Sequence, residues 1–87
     1  MPTELPILYV KTDCPWCNEV SSFLSEHGIG YREVNITHDP VALATMQRIS
    51  KQPRAPVLDW HGKILPDFGL KELKPFLHAR KIQFEDS

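Results

Sequence analysis

Only two cysteines occur in 87 residues. That is too sparse a framework for a secreted domain held together by disulfides. It also rules against a structural zinc site, which takes about four ligands, because there is no second cysteine pair. The four histidines, His27, His38, His61 and His78, are scattered at no metal-ligand spacing. Excess charge of either sign is missing too. Ten Lys and Arg stand against eleven Asp and Glu, mixed along the chain, for a formal net charge of −1. Neither a nucleic-acid surface nor a polybasic membrane surface is expected from such a balance. The longest apolar run lies around Leu5–Val10, far short of the ~20 residues of a membrane span. Met1-Pro2-Thr3-Glu4 lacks the basic start and long apolar stretch of a signal peptide. Repeats, linkers and low-complexity segments are absent. The expectation is one domain over residues 1–87, a cytoplasmic monomer, with 41% hydrophobic residues to fill a single layered core.

What is present is a pattern of short alternating elements. Leu5-Pro6-Ile7-Leu8-Tyr9-Val10 is a brief apolar run whose Ile, Tyr and Val content favours a buried strand. After the polar break Lys11-Thr12-Asp13, Pro15 suits the first position of a helix and makes Cys14 its N-cap. Cys17, Val20, Phe23, Leu24 and His27 follow at helical spacing, and Gly28 ends the helix. Residues 31–36 alternate enough for a second strand. Asp39-Pro40 reads as N-cap and first position of a second helix reaching Ser50, with Ala42, Leu43, Met46 and Ile49 on one side. Two prolines punctuate the loop 51–56. Val57–Trp60 and Ile64-Leu65 form a hairpin about His61-Gly62-Lys63. Leu70, Leu73, Phe76 and Leu77 mark a last helix over 70–80, which Pro75 should kink, or cause to restart near Lys74. Residues 83–87 read as a frayed polar tail. The early strands should be parallel, joined by a crossover helix. The expected architecture is therefore α/β, a mixed four-stranded sheet flanked by helices in the order β-α-β-α-β-β-α.

The two cysteines sit where the first strand gives way to the first helix, as Cys14-Pro15-Trp16-Cys17. A thiol at an N-cap faces unpaired backbone amides and the positive end of the helix dipole. Both favour the thiolate, so the Cys14 pKa should fall below the ordinary value of about 8.5. Lys11 adds a positive charge nearby; Asp13 opposes it in sign, and its side chain is expected to point away. Cys17, one turn in, is placed to attack a mixed disulfide formed at Cys14.

Strand, C-P-[aromatic]-C, helix and a proline-led hairpin resemble the glutaredoxins, a branch of the thioredoxin fold. The motif here differs from the usual C-P-Y-C only by Trp16. The resemblance spans roughly Ile7 to Leu77, and it implies a thioredoxin-like fold and a catalytic Cys14–Cys17 dithiol. It also implies a set of glutathione contacts. Lys11 stands where the family often has a lysine near a glutathione carboxylate, and Gln52 where it tends to have Arg or Gln. Ala55-Pro56-Val57 falls at the family's T-V-P, which makes Pro56 a cis-proline and Ala55 a backbone partner for glutathione. Trp16 would flank the thiol as an exposed platform. The usual G-G-x-D-D before the last helix is replaced by Leu65-Pro66-Asp67-Phe68-Gly69-Leu70. Asp67 would meet the glutathione amine, and the amides of Phe68 and Gly69 its carboxylate.

The function implied is a thiol–disulfide oxidoreductase, with glutathione as co-substrate, a disulfide-bearing protein as partner, and no tightly bound cofactor or metal. A dithiol donor reduced by thioredoxin reductase is the alternative, because the glutathione segment is altered. A less favoured one is a glutathione-ligated [2Fe–2S] carrier, which Pro15 disfavours by stiffening the loop. The surface around Trp16, Arg54, Ala55 and Phe68 is expected to choose the protein partner.

Overall fold

A computed structural model describes residues 5–82. Along the chain lie β1 (Ile7–Val10), α1 (Pro15–Glu26), β2 (Arg32–Asn35), α2 (Pro40–Ser50), β3 (Val57–Trp60), β4 (Lys63–Pro66) and α3 (Leu70–Ala79). The strands form one sheet in the order β2-β1-β3-β4. β1 runs parallel to β2 and antiparallel to β3, and β3 and β4 form the hairpin. The architecture matches the expected order of elements. The second strand is shorter than 31–36, with Tyr31 and Ile36 flanking it. The expected tail at 83–87 lies outside the described residues.

Side-chain alternation divides the interior in two. Leu8, Val10 and Leu58 face α1 and α3, where they join Val20, Phe23, Leu24, Leu73 and Leu77. Tyr9 and Val57 face the other way, against Ala42 and Met46 of α2. A strand sends successive side chains to opposite faces. The continuous apolar run of β1 is thus explained by helices on both sides of the sheet.

Local chemistry sets the ends of the elements. Asp39 caps α2, its Oδ1 accepting from the Ala42 amide at 3.0 Å. Gly28, at φ +67°, closes α1. There the Ile29 amide donates to the Leu24 carbonyl at 2.9 Å and the Gly28 amide to that of Ser25 at 3.2 Å, the paired bonds of a Schellman motif. The α3 end repeats the same two bonds around Lys81, a non-glycine at φ +62°. The hairpin turns through His61 and Gly62, both at positive φ, as a two-residue turn of the primed type requires. Of the two outcomes expected at Pro75, the restart near Lys74 does not occur: α3 runs through the proline. Pro75 and Lys71, whose carbonyl loses its helical donor to the proline, both lie on the exposed side, where water can replace the missing bond.

The topology brings three connections to one end of the sheet. β1 ends at Val10 and leads into Cys14. The β1–β3 ladder pairs Tyr9 with Val57, so the chain entering β3 through Ala55 and Pro56 arrives at that same end. β3 pairs Val57 with Pro66, so the turn leaving β4 at Asp67 arrives there as well.

Candidate active site

Cys14 and Cys17 are joined as a disulfide, with Cα atoms 5.2 Å apart. Cys14 is the N-cap of α1 in extended backbone, Pro15 is the first helical residue, and the Cys17 amide donates to Cys14 Sγ at 3.2 Å. The sulfur therefore takes the place a serine or aspartate oxygen holds at an ordinary N-cap. Both residues are almost wholly buried, Cys14 at 5% exposure and Cys17 at 2%.

An open groove of about 360 Å³ runs past Cys14. Lys11, Asp13, Pro15 and Trp16 line it from the first connection, Arg54 and Ala55 from the second, and Asp67 from the third. Five of the dithiol and glutathione-contact residues named from sequence thus meet here, Lys11, Cys14, Trp16, Ala55 and Asp67, together with Arg54 of the expected partner surface. Trp16 is 59% exposed, and its indole lies over Gly69 at the start of α3. Pro56 follows a cis bond to Ala55 and is buried beside it. Ala55 lies beyond the last pair of the β1–β3 ladder.

The remaining placements differ from expectation. Gln52 does not line the groove. Its Nε2 donates to the Arg54 carbonyl at 2.9 Å and to Ser50 Oγ at 3.1 Å, and its Oε1 accepts from the Arg54 amide at 2.7 Å. It holds its own loop in shape. Phe68 cannot form part of a partner-choosing surface through its side chain, which is 2% exposed and belongs to the core against α1 and α3. The Gly69 amide donates to Glu72 Oε1 at 2.9 Å, so α3 caps itself and that donor is not open to a ligand carboxylate. Asp13 lies on the groove wall rather than pointing away, in backbone at φ +59°.

Two features of the site escaped the sequence. Arg54 and Asp67 pair across the groove at 3.6 Å, both exposed. Asp67 also donates its amide to the Pro56 carbonyl at 2.9 Å, tying the third connection to the second. The loop after β1 is tied to the one after β2: the Thr12 amide donates to Thr37 Oγ1 at 2.8 Å, and the Thr37 amide to Asn35 Oδ1 at 2.8 Å. Among the described residues no group of three or more His, Cys, Asp or Glu is placed to hold a metal ion. No described helix is long and apolar enough to cross a membrane.

A four-stranded mixed sheet with three helices and a C-x-x-C pair at the first helix start defines a thioredoxin-like protein. Two solved structures share that fold. A thioredoxin-like protein superimposes with a TM-score of 0.75 at 24% identity, over 83% of this chain and 99% of that one. A glutaredoxin from Archaeoglobus fulgidus superimposes with a TM-score of 0.74 at 19% identity, over 86% of this chain and 87% of that one. A family model described as glutaredoxin matches residues 7–65. An uncharacterized glutaredoxin-like 8.6 kDa protein in the rubredoxin operon of Clostridium pasteurianum is 30% identical over 66 residues, 76% of this chain and 88% of that relative. The chain belongs to the glutaredoxin family. The family match ends at Leu65, where the sequence departs from G-G-x-D-D.

Proposed function

We propose that the chain is a thiol–disulfide oxidoreductase working through Cys14 and Cys17. The observation that carries this reading is the Cys17 amide donating to Cys14 Sγ at 3.2 Å, at the head of a helix that opens on a groove. In the reduced protein this donor and the helix dipole favour the Cys14 thiolate, the form that attacks a disulfide. That attack breaks the substrate S–S bond, releases one thiolate and leaves a mixed disulfide at Cys14. Cys17 then displaces the second thiolate and closes the disulfide seen here. With a glutathione mixed disulfide, glutathione can take the resolving role instead.

Glutathione is the reductant that family membership favours. A thioredoxin-reductase-type donor is favoured by the polar groups already engaged within the chain: Gln52 in its loop, the Gly69 amide with Glu72, and Asp67 with Arg54. The protein would act in a reducing compartment such as the cytoplasm, where the dithiol is returned to its active state. Cys14→Ser should abolish disulfide reduction with either reductant. Cys17→Ser should lose two-thiol reduction but keep removal of glutathione from a mixed disulfide. Steady-state assays with each reductant in turn check both outcomes, and full activity in the Cys14 variant would overturn the mechanism.

A further inference from the structure

The two cysteines face different voids. Cys14 lines the groove, whereas Cys17 lines a second, polar cleft of about 290 Å³ on the far side of the shared wall Lys11 and Asp13. That cleft runs between the start of α1 and the β2 edge. Its walls include Lys11, Asp13, Asn18, Ser21 and Glu33.

The arrangement matters because Cys17 must lose a proton when it attacks. A thiol at 2% exposure is held in its neutral form by desolvation. At that moment the partner is bonded to Cys14 and fills the groove, so the proton needs a second exit. Ser21 lies one helical turn beyond Cys17, which puts their Cβ atoms roughly 5–6 Å apart on one face of α1. Ser21 Oγ donates to Glu33 Oε1 at 2.9 Å and is also bonded to Tyr31 Oη. The cleft is large enough for several waters at about 30 Å³ each.

Taking the dithiol mechanism above as its basis, we infer that Ser21 and Glu33 are positioning residues for the resolving step, carrying the Cys17 proton into the rear cleft. The proton leaves Cys17 Sγ through cleft water and the Ser21 hydroxyl to the Glu33 carboxylate. The Cys17 sulfur bonds to Cys14 Sγ, the bond from Cys14 Sγ to the partner sulfur breaks, and the partner departs as a thiolate with the electron pair. The enzyme dithiol is oxidised, the partner is reduced, and Glu33 returns its proton to solvent. The charged and titratable groups facing Glu33 are Lys11 and Asp13 from the β1–α1 loop and Tyr31 before β2; α1 contributes only Asn18, Ser21 and the Cys17 thiol to the cleft. Asp13 is the rival acceptor, but the hydrogen bond from Ser21 singles out Glu33.

The test uses the full chain loaded with thionitrobenzoate. Reduced protein is treated with dithiobis-nitrobenzoate in acid, which releases one equivalent as Cys14 forms the mixed disulfide. A jump to higher pH then starts Cys17 attack and releases the second equivalent. Wild type should yield both. Glu33→Gln should load normally but release the second equivalent roughly a hundredfold more slowly near neutrality, the low end expected for a lost proton acceptor. Its rate should approach wild type as the pH is raised further, because hydroxide can then take the thiol proton directly. Ser21→Ala should show the same shape with a smaller loss, and added imidazole should speed Glu33→Gln but not wild type. A second phase in Glu33→Gln matching wild type at every pH overturns the relay. So does a slow phase in Asp13→Asn without one in Glu33→Gln, or an equal loss in both phases of Glu33→Gln, the mark of a merely structural role. Failure of wild type to load at Cys14 overturns instead the dithiol reading, and the relay with it.

Discussion

At the scale of single residues, the site works by placing ordinary groups in unusual company. Cys14 caps a helix with sulfur where oxygen is usual, and the amide it accepts from belongs to its own partner, Cys17. This much was readable from four adjacent letters, because Pro15 fixes the helix start and helix geometry then sets the spacing. Gln52 was misread for the opposite reason: its partners are Ser50 and Arg54, and only the folded loop shows that they consume its amide. Asp67 and Arg54 are 13 positions apart, and no local pattern announces their pairing. Tyr9 sits one strand position from the dithiol loop, facing α2. Burial pushes its phenol up from the ordinary value of 10.0, Asp59 adds to the shift and Arg48 opposes it. A raised folded-state pKa contributes stability that is fully present below the unfolded value of about 10 and is lost as pH rises through the folded one. Urea denaturation should therefore show wild type losing stability relative to Tyr9→Phe above about pH 10, with no such divergence near pH 8.

At the scale of elements, caps decided which boundaries could be foreseen. Asp39-Pro40 and Gly28 mark helix ends by chemistry that is local, so α1 and α2 were legible to within a residue or two. The end of α3 was placed to within a residue as well, but its means of closure was not foreseen: Lys81 adopts the left-handed backbone usually left to glycine, held by the two carbonyl bonds to Leu77 and His78. Pro75 left two outcomes open. The proline removes a helical bond wherever it sits, but the cost depends on whether water reaches the freed carbonyl. Here the affected side is exposed, and Leu73 and Leu77, fully buried on the other side, keep the helix continuous. Pro75→Ala should therefore stabilise the fold, by about 1–3 kcal/mol, as the missing bond and lost propensity are restored. A higher urea midpoint with unchanged slope would show it.

At the scale of the whole molecule, one thin sheet separates two hydrophobic clusters, and β1 and β3 contribute to both. Sequence periodicity identified most members of each cluster, because strand and helix spacing are local properties. The groove was less legible, because it is made by strand register, which brings residues 11–16, 54–55 and 67 together at one sheet end. Shared strands should make the two clusters unfold together. Met46→Ala, a truncation of the side chain buried deepest under α2, should cost about 2–5 kcal/mol. Calorimetry should nonetheless show a single transition, with the dithiol face melting at the same lowered temperature as the α2 face.

The His61-Gly62 turn closes the hairpin at the far end of the sheet from the three connections that build the groove. Its residues are exposed and make no part of either cluster. Chain can be added or opened there with little disturbance of the packed elements. For the engineer this is the natural attachment point: a fusion partner, a fluorophore or new termini at 61–62 would project away from Cys14, leaving the groove unobstructed.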